Sequence, residues 1–156
     1  MKNLLTTLIL IIGLMPVIKA QNLEYQDDNY YKNGMLYSGI HIEKYENGVV
    51  KSERTIKNGK EDGLVKIYFP SGNIQEQRSY SMGRKDGIWI TWNDAGVKTA
   101  EAAYKNDLKH GVWYIWDDNG RLRYEMFYAE GKKNGLWRIF DETGAVTSER
   151  TYNLKP

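Results

Sequence analysis

Between Gly39 and Tyr152 apolar and polar side chains alternate in short runs, and each run is closed by a glycine. Ile88-Trp89-Ile90-Thr91-Trp92 is one such run, rich in the β-branched and aromatic residues that strands favour. It leads into Asn93-Asp94-Ala95-Gly96, and Asp117-Asp118-Asn119-Gly120 and Asp141-Glu142-Thr143-Gly144 hold the same place further on. Asp or Asn first and Gly last predict a type I turn whose final residue has φ > 0. Pro70 occupies the second position of its turn, where its fixed φ fits. A second strand follows, as over 121–128. A second tight turn, such as Asn58-Gly59 or Glu130-Gly131, then opens the next run. A glycine every few residues argues against helix throughout.

The pattern repeats every 24 residues. Gly39, Gly63, Gly87, Gly111 and Gly135 form one column, and Gly48, Gly72, Gly96, Gly120 and Gly144 a second. Gly59, Gly83 and Gly131 form a third, with Asp107 in the remaining place, so 13 of the 15 glycines are in register. Tyr80, Tyr104, Tyr128 and Tyr152 keep the period, with Ile56 in the first unit. So do Trp89, Trp113 and Trp137, and Tyr68, Trp92, Trp116 and Phe140. Asp107 suits its turn because Asp enters the left-handed region more readily than most residues.

One hairpin of this size is marginal alone, so the units are expected to stack, each supported by its neighbours. The expected fold is all-β: stacked β-hairpin repeats in one elongated, twisted antiparallel sheet. Ten strands would span about 50 Å. The expected divisions are a leader over 1–20, an N-terminal segment with a half repeat over 21–38, and five repeats over 39–156. The half repeat is read from Tyr31, Gly34 and Gly39, which echo the second half of a unit. The first unit carries His41 and Lys44 where others carry Trp and an aromatic, and is read as a cap. At the other end Lys155-Pro156 would discourage edge-to-edge pairing.

Gly111, Trp113, Trp116, Asp117, Gly120, Glu125, Tyr128, Gly131 and Gly135 display the repeat in full. This pattern resembles the variant MORN repeat (membrane occupation and recognition nexus) of the YwqK family of antitoxin-like proteins. The resemblance covers 29–156, departing from the pattern at the Trp-free first unit and at Asp107. It implies a stacked hairpin sheet used for protein or lipid contact, with no catalytic residues to carry over. An antitoxin role fits poorly with an exported chain.

Strand alternation assigns faces. One face holds Leu64, Ile88, Val112 and Leu136 with Tyr68, Trp92, Trp116 and Phe140; the other holds Val65, Trp89, Trp113 and Trp137 with Ile67, Ile115 and Ile139. Both are apolar, which leaves two readings. Twist can bury both, with the rings packed on Tyr80, Tyr104 and Tyr128. Alternatively one column stays exposed as a binding stripe, and Trp89, Trp113 and Trp137 are then the candidates, since Trp is enriched in binding hot spots. Glu53, Glu101, Glu125 and Glu149 form an acidic column best explained by cross-strand pairing with Lys or Arg.

The leader has Lys2, an apolar run over 4–18 and a small residue at Ala20, so a signal peptide cleaved after Ala20 is expected. The run falls short of the ~20 residues that span a bilayer. The mature chain is then secreted or periplasmic and not transmembrane. Without Lys2 and Lys19, the 22 basic residues fall to 20 and match the 20 acidic ones. A neutral chain is a poor bulk binder of nucleic acid. The charge is patterned all the same. The inter-unit loops carry a net +3 and the hairpin turns a net −6, so Arg84, Lys85, Lys109, Lys132 and Lys133 form a candidate basic edge for phosphate head groups or an acidic partner.

Chemistry is sparse. The chain has no cysteine, and its two histidines stand three units apart, which gives neither a zinc site nor a Ser-His-Asp set. A periodic Glu column offers copies rather than the one distinct pair of carboxylates a glycosidase needs. No catalytic residue, metal or cofactor is expected. The sequence points to a binding module for another envelope or extracellular protein, or alternatively for a glycan or lipid.

Overall fold

The structure is a computed structural model that describes residues 23–153; the expected leader with its expected cleavage point, and Lys155-Pro156, lie outside the described residues. All its regular elements are strands. A small sheet comes first, with β1 (Glu24–Gln26), β2 (Asn29–Lys32) and β3 (Met35–Leu36) in that order. The main sheet then meanders through β4 (Gly39–Lys44), β5 (Val50–Lys57), β6 (Lys60–Tyr68), β7 (Ile74–Ser81), β8 (Arg84–Lys85) and β9 (Gly87–Trp92). It continues through β10 (Lys98–Lys105), β11 (Leu108–Trp116), β12 (Leu122–Ala129), β13 (Lys132–Lys133), β14 (Gly135–Phe140) and β15 (Val146–Tyr152). Every pairing is between antiparallel neighbours in the chain, and β4 and β15 form the edges.

The main sheet has 12 strands rather than ten, because β8 and β13 are the opening pieces of β9 and β14. Each break falls just before a glycine of the first column. Gly63, Gly87, Gly111 and Gly135 have φ between +61° and +116°, and each lies against the side chain of Thr55, Ser79, Ala103 or Phe127 on the preceding strand. A Cβ at Gly87 would sit 3.0 Å from the Cβ of Ser79. This column therefore needs glycine twice over, for the left-handed corner and for the close approach.

The turns match their composition. In every unit the fourth turn residue donates back to the first, as Gly96 N–H does to the Asn93 carbonyl at 2.9 Å. The first residue donates to the fifth, which closes a type I turn with a glycine bulge. Asp or Asn leads because its side chain accepts from the turn backbone: Asp141 Oδ1 accepts the N–H groups of Thr143 and Ala145 at 2.8 and 3.0 Å. One residue beyond each turn is extra. Ile67 faces Glu76 while Tyr68 faces Ile74, leaving Gln75 as the bulge, and Thr99, Arg123 and Thr147 repeat it. The inter-unit turns pair two left-handed residues, such as Asn58-Gly59 (φ 49° and 76°) and Asn106-Asp107 (φ 49° and 68°). Asp107 thus adopts the conformation of the glycines it replaces.

Burial is uneven. Val65, Ile56 and Ser52, the residues with least exposure, all lie where the first unit meets the second. There the N-terminal sheet is tied to the main one: Tyr30 N–H donates to the Gly59 carbonyl at 2.8 Å, and Tyr30 Oη to Glu61 at 3.2 Å. Lys60 Nζ reaches the Asp28 carbonyl at 2.6 Å. Tyr30 and Glu61 join these two parts, and β1 is an element that the half-repeat reading did not include.

Candidate binding surface

Cross-strand register gives the two faces their composition. On one, Trp89, Ala102, Trp113 and Met126 run in a row, with Trp137 and Arg150 beyond. The tyrosine column borders this row, and the rings interleave: Tyr80, Trp89, Tyr104, Trp113, Tyr128, Trp137, Tyr152. Successive centroids are 5.0–5.4 Å apart and tilted by 51–60°, the edge-to-face range that aromatic quadrupoles favour. Trp89, Trp113 and Trp137 are half-buried in this ladder. Their indole N–H groups donate to the carbonyls of Ser79, Ala103 and Phe127, each at 2.9 Å.

Lysines sit on the ladder. Lys109 Nζ lies 4.3 Å from the Trp113 centroid and 4.8 Å from that of Tyr128. Lys133 repeats this over Trp137 and Tyr152, at 4.3 and 5.1 Å, and Lys85 over Trp89 and Tyr104, at 4.7 and 5.2 Å. Each ammonium is thus placed between one indole and the next phenol, a geometry that fixes an otherwise mobile side chain. Arg78 adds a guanidinium 5.2 Å from the Trp89 centroid. Among the described residues none of the three lysines has a carboxylate within ion-pair distance.

The junction of the first and second units departs from this arrangement at three linked positions. Val65 replaces Trp, Ile56 replaces Tyr, and Glu61 replaces Lys. Glu61 accepts from Arg54 at 3.0 Å, and its pairing with Tyr30 ties down the N-terminal sheet. Burial first, and then the Glu61 charge, push the Tyr30 phenol up to about 12. Burial also raises Tyr80, Tyr104 and Tyr128. Burial lowers Arg78, but its hydrogen bond to Glu76 and the Glu76 charge together outweigh this and raise it.

The ladder face is therefore charged unevenly. From β9 to β15 its strand positions carry Lys109, Lys133 and Arg150 and no acidic residue, and Lys85 adjoins them on β8. The opposite face carries the Glu column: Arg138 bridges Glu125 and Glu149 at 3.2 and 3.0 Å, and Lys98 pairs with Glu101 at 2.8 Å. Leu64 and Ile88 are exposed in its apolar row, at the end where Ile40 also lies open. At the C-terminal end of the ladder face, Tyr124, Met126, Trp137, Ile139, Arg150 and Tyr152 line a cleft of about 360 Å3.

A family model described as MORN repeat variant matches residues 37–58, 61–82, 109–130 and 133–154, more than half of the chain. The chain belongs to the MORN repeat variant family. No curated protein matches it. Residues 85–106 fall in the same frame between matched stretches, and β9 with most of β10 makes the same hairpin there, so the MORN units are continuous. MORN repeats are in general modules that bind proteins or membranes. No helix among the described residues is long and apolar enough to cross a membrane.

The MORN geometry sorts the sequence candidates. Trp89, Trp113 and Trp137 share one face with Lys85 and Lys133, whereas Arg84 and Lys132 are the outward neighbours of those lysines in β8 and β13. Arg84 instead lines an N-terminal cleft of about 400 Å3 with Tyr25, Lys60 and Glu61. Lys109 completes the lysine row, and Arg78 and Arg150 extend its charge. The 24-residue spacing of Lys85, Lys109 and Lys133 was the available signal. Its partnership with the aromatic columns needed the corner glycines, which bring each lysine back over the ring four residues later.

Proposed function

We propose that this MORN protein is an exported, non-enzymatic binding module whose ladder face docks an acidic region of another envelope or extracellular protein. The observation that carries this is the acid-free run of strand positions from β9 to β15, with Lys109 and Lys133 held over aromatic rings. Opposite charge on a partner would meet cations that are already positioned, which reduces the ordering cost of docking. The leader supports the export. Sugar stacking on the tryptophans is a weaker alternative, because Trp89 already has Arg78 and Lys85 over its ring and Tyr80 and Tyr104 beside it.

The test is capture from the native envelope fraction on immobilised protein, read by mass spectrometry. One stoichiometric acidic protein is expected, lost when Lys85, Lys109 and Lys133 become Gln and kept when Leu64 and Ile88 become Ser. Capture that ignores the lysines, or retention on isolated cell wall or anionic vesicles in place of a protein, overturns the reading.

A further inference from the structure

We infer that the segment recognised by the ladder face is an extended, polyproline-II-like peptide with an acidic residue at every third position. This rests on the docking reading above and adds the spacing and conformation of the partner. The repeat sets the pitch. Lys85, Lys109 and Lys133 stand on strands two apart, so their ammonium groups recur at about 9.6 Å along the sheet. Each is held against two rings, so the pitch belongs to the rigid ladder and not to the rotamers of free lysines.

Regular conformations differ in how they match that pitch. A polyproline II segment has three residues per turn and rises about 3.1 Å per residue, so every third side chain returns to one side after about 9.3 Å. A β-strand covers a similar distance in three residues, but its two-residue alternation sends every second acid to the wrong side. An α-helix rises about 1.5 Å per residue and has 3.6 residues per turn, and no whole number of turns meets the pitch with one side facing the row. Polyproline II also lacks internal hydrogen bonds, so it can follow a row that rotates by roughly 20° per strand. The two residues between acids would point away from the lysine row, where proline holds the segment in this conformation.

The test measures binding of three labelled peptides by anisotropy to the exported chain. They are (Glu-Pro-Pro)5, (Glu-Pro)5, and an isomer of the first with its five glutamates in one block. The first is expected to bind at least tenfold more tightly than the other two. Raising the salt should weaken it, as should each single Lys→Gln change at 85, 109 or 133. Lys→Arg changes at the same sites should retain binding, and thermal unfolding of each variant checks that the fold is intact. Equal binding of the three peptides, or tighter binding of a sulfated polysaccharide, overturns the inference. If the peptides bind alike while the Lys→Gln variant still loses its captured protein, only the spacing fails. If capture survives the lysine changes, the docking reading fails with it.

Discussion

The indole N–H of Trp113 donates to the carbonyl of Ala103 on the preceding strand, at 2.9 Å. The equivalent carbonyls of Ser79 and Phe127 accept twice, from the indoles of Trp89 and Trp137 and from the backbone N–H groups of Asp86 and Asn134. The tryptophan therefore serves the strand corner as well as the ring ladder. Trp113→Phe should keep most of the ring contacts and lose the donor, for about 1 kcal/mol. Trp113→Ala should also open a gap between Tyr104 and Tyr128 and cost about 3 kcal/mol. Urea unfolding of both variants checks the order.

Two glycine columns share a positive φ but differ in surroundings. Gly96 has φ 80° and nothing within 4 Å of an added Cβ, so Gly96→Ala should cost about 1 kcal/mol for the left-handed backbone alone. Gly87 has φ 99° and the Ser79 Cβ at 3.0 Å, so Gly87→Ala should cost about 2–3 kcal/mol. Equal losses in thermal unfolding would show that the corner has room for a side chain.

Asp107 invites replacement by the glycine of its column. Its Oδ1, however, accepts the Lys85 N–H at 2.8 Å, a bond that glycine cannot supply. Relief of the left-handed backbone and loss of this bond oppose each other at roughly 1 kcal/mol each. Asp107→Gly should therefore leave the unfolding midpoint nearly unchanged, whereas Asp107→Ala should lower it.

Val65 is fully buried where later units carry tryptophan. Val65→Ala should cost about 2 kcal/mol through lost burial and a small cavity. Val65→Trp should destabilise by about 1–3 kcal/mol through overpacking, although tryptophan is the usual residue of the column. Chemical denaturation of the two variants compares them directly.

The raised phenols predict an alkaline limit. Tyr30, at about 12, and Tyr80, Tyr104 and Tyr128, all displaced upward, hold their protons more tightly folded than unfolded. Their contribution is complete below the ordinary tyrosine value near 10 and is lost as pH rises toward 12. Stability should be flat through neutral pH and fall above about pH 10, with phenolate absorbance rising late and together with unfolding. Phenolate that forms fully before unfolding would contradict the shifts.

Most of the fold was legible because the repeat states each local requirement five times. The glycine columns marked both kinds of turn, Asp or Asn opened most of the type I turns, and alternation placed Trp89 and Leu64 on opposite faces correctly. The strand breaks before Gly87 and Gly135 were not legible, because a corner depends on the close approach of Ser79 or Phe127 across the sheet. Nor was the pairing of Tyr30 with Glu61, which joins residues far apart in sequence that no periodic pattern links.

The sequence alone determined the 24-residue unit, the antiparallel meander and the identity of each column, since turn geometry and two-residue alternation are local properties of the backbone. Only the tertiary structure decided what the columns do together. Stacking brings Trp113 between Tyr104 and Tyr128 and sets Lys109 over Trp113 and Tyr128, so a stripe of separate aromatic residues becomes a half-buried ladder topped with cations. The physical reason is that aromatic and cation–π contacts act over about 5 Å, roughly the strand spacing, and neighbours at that distance exist only once the strands have paired.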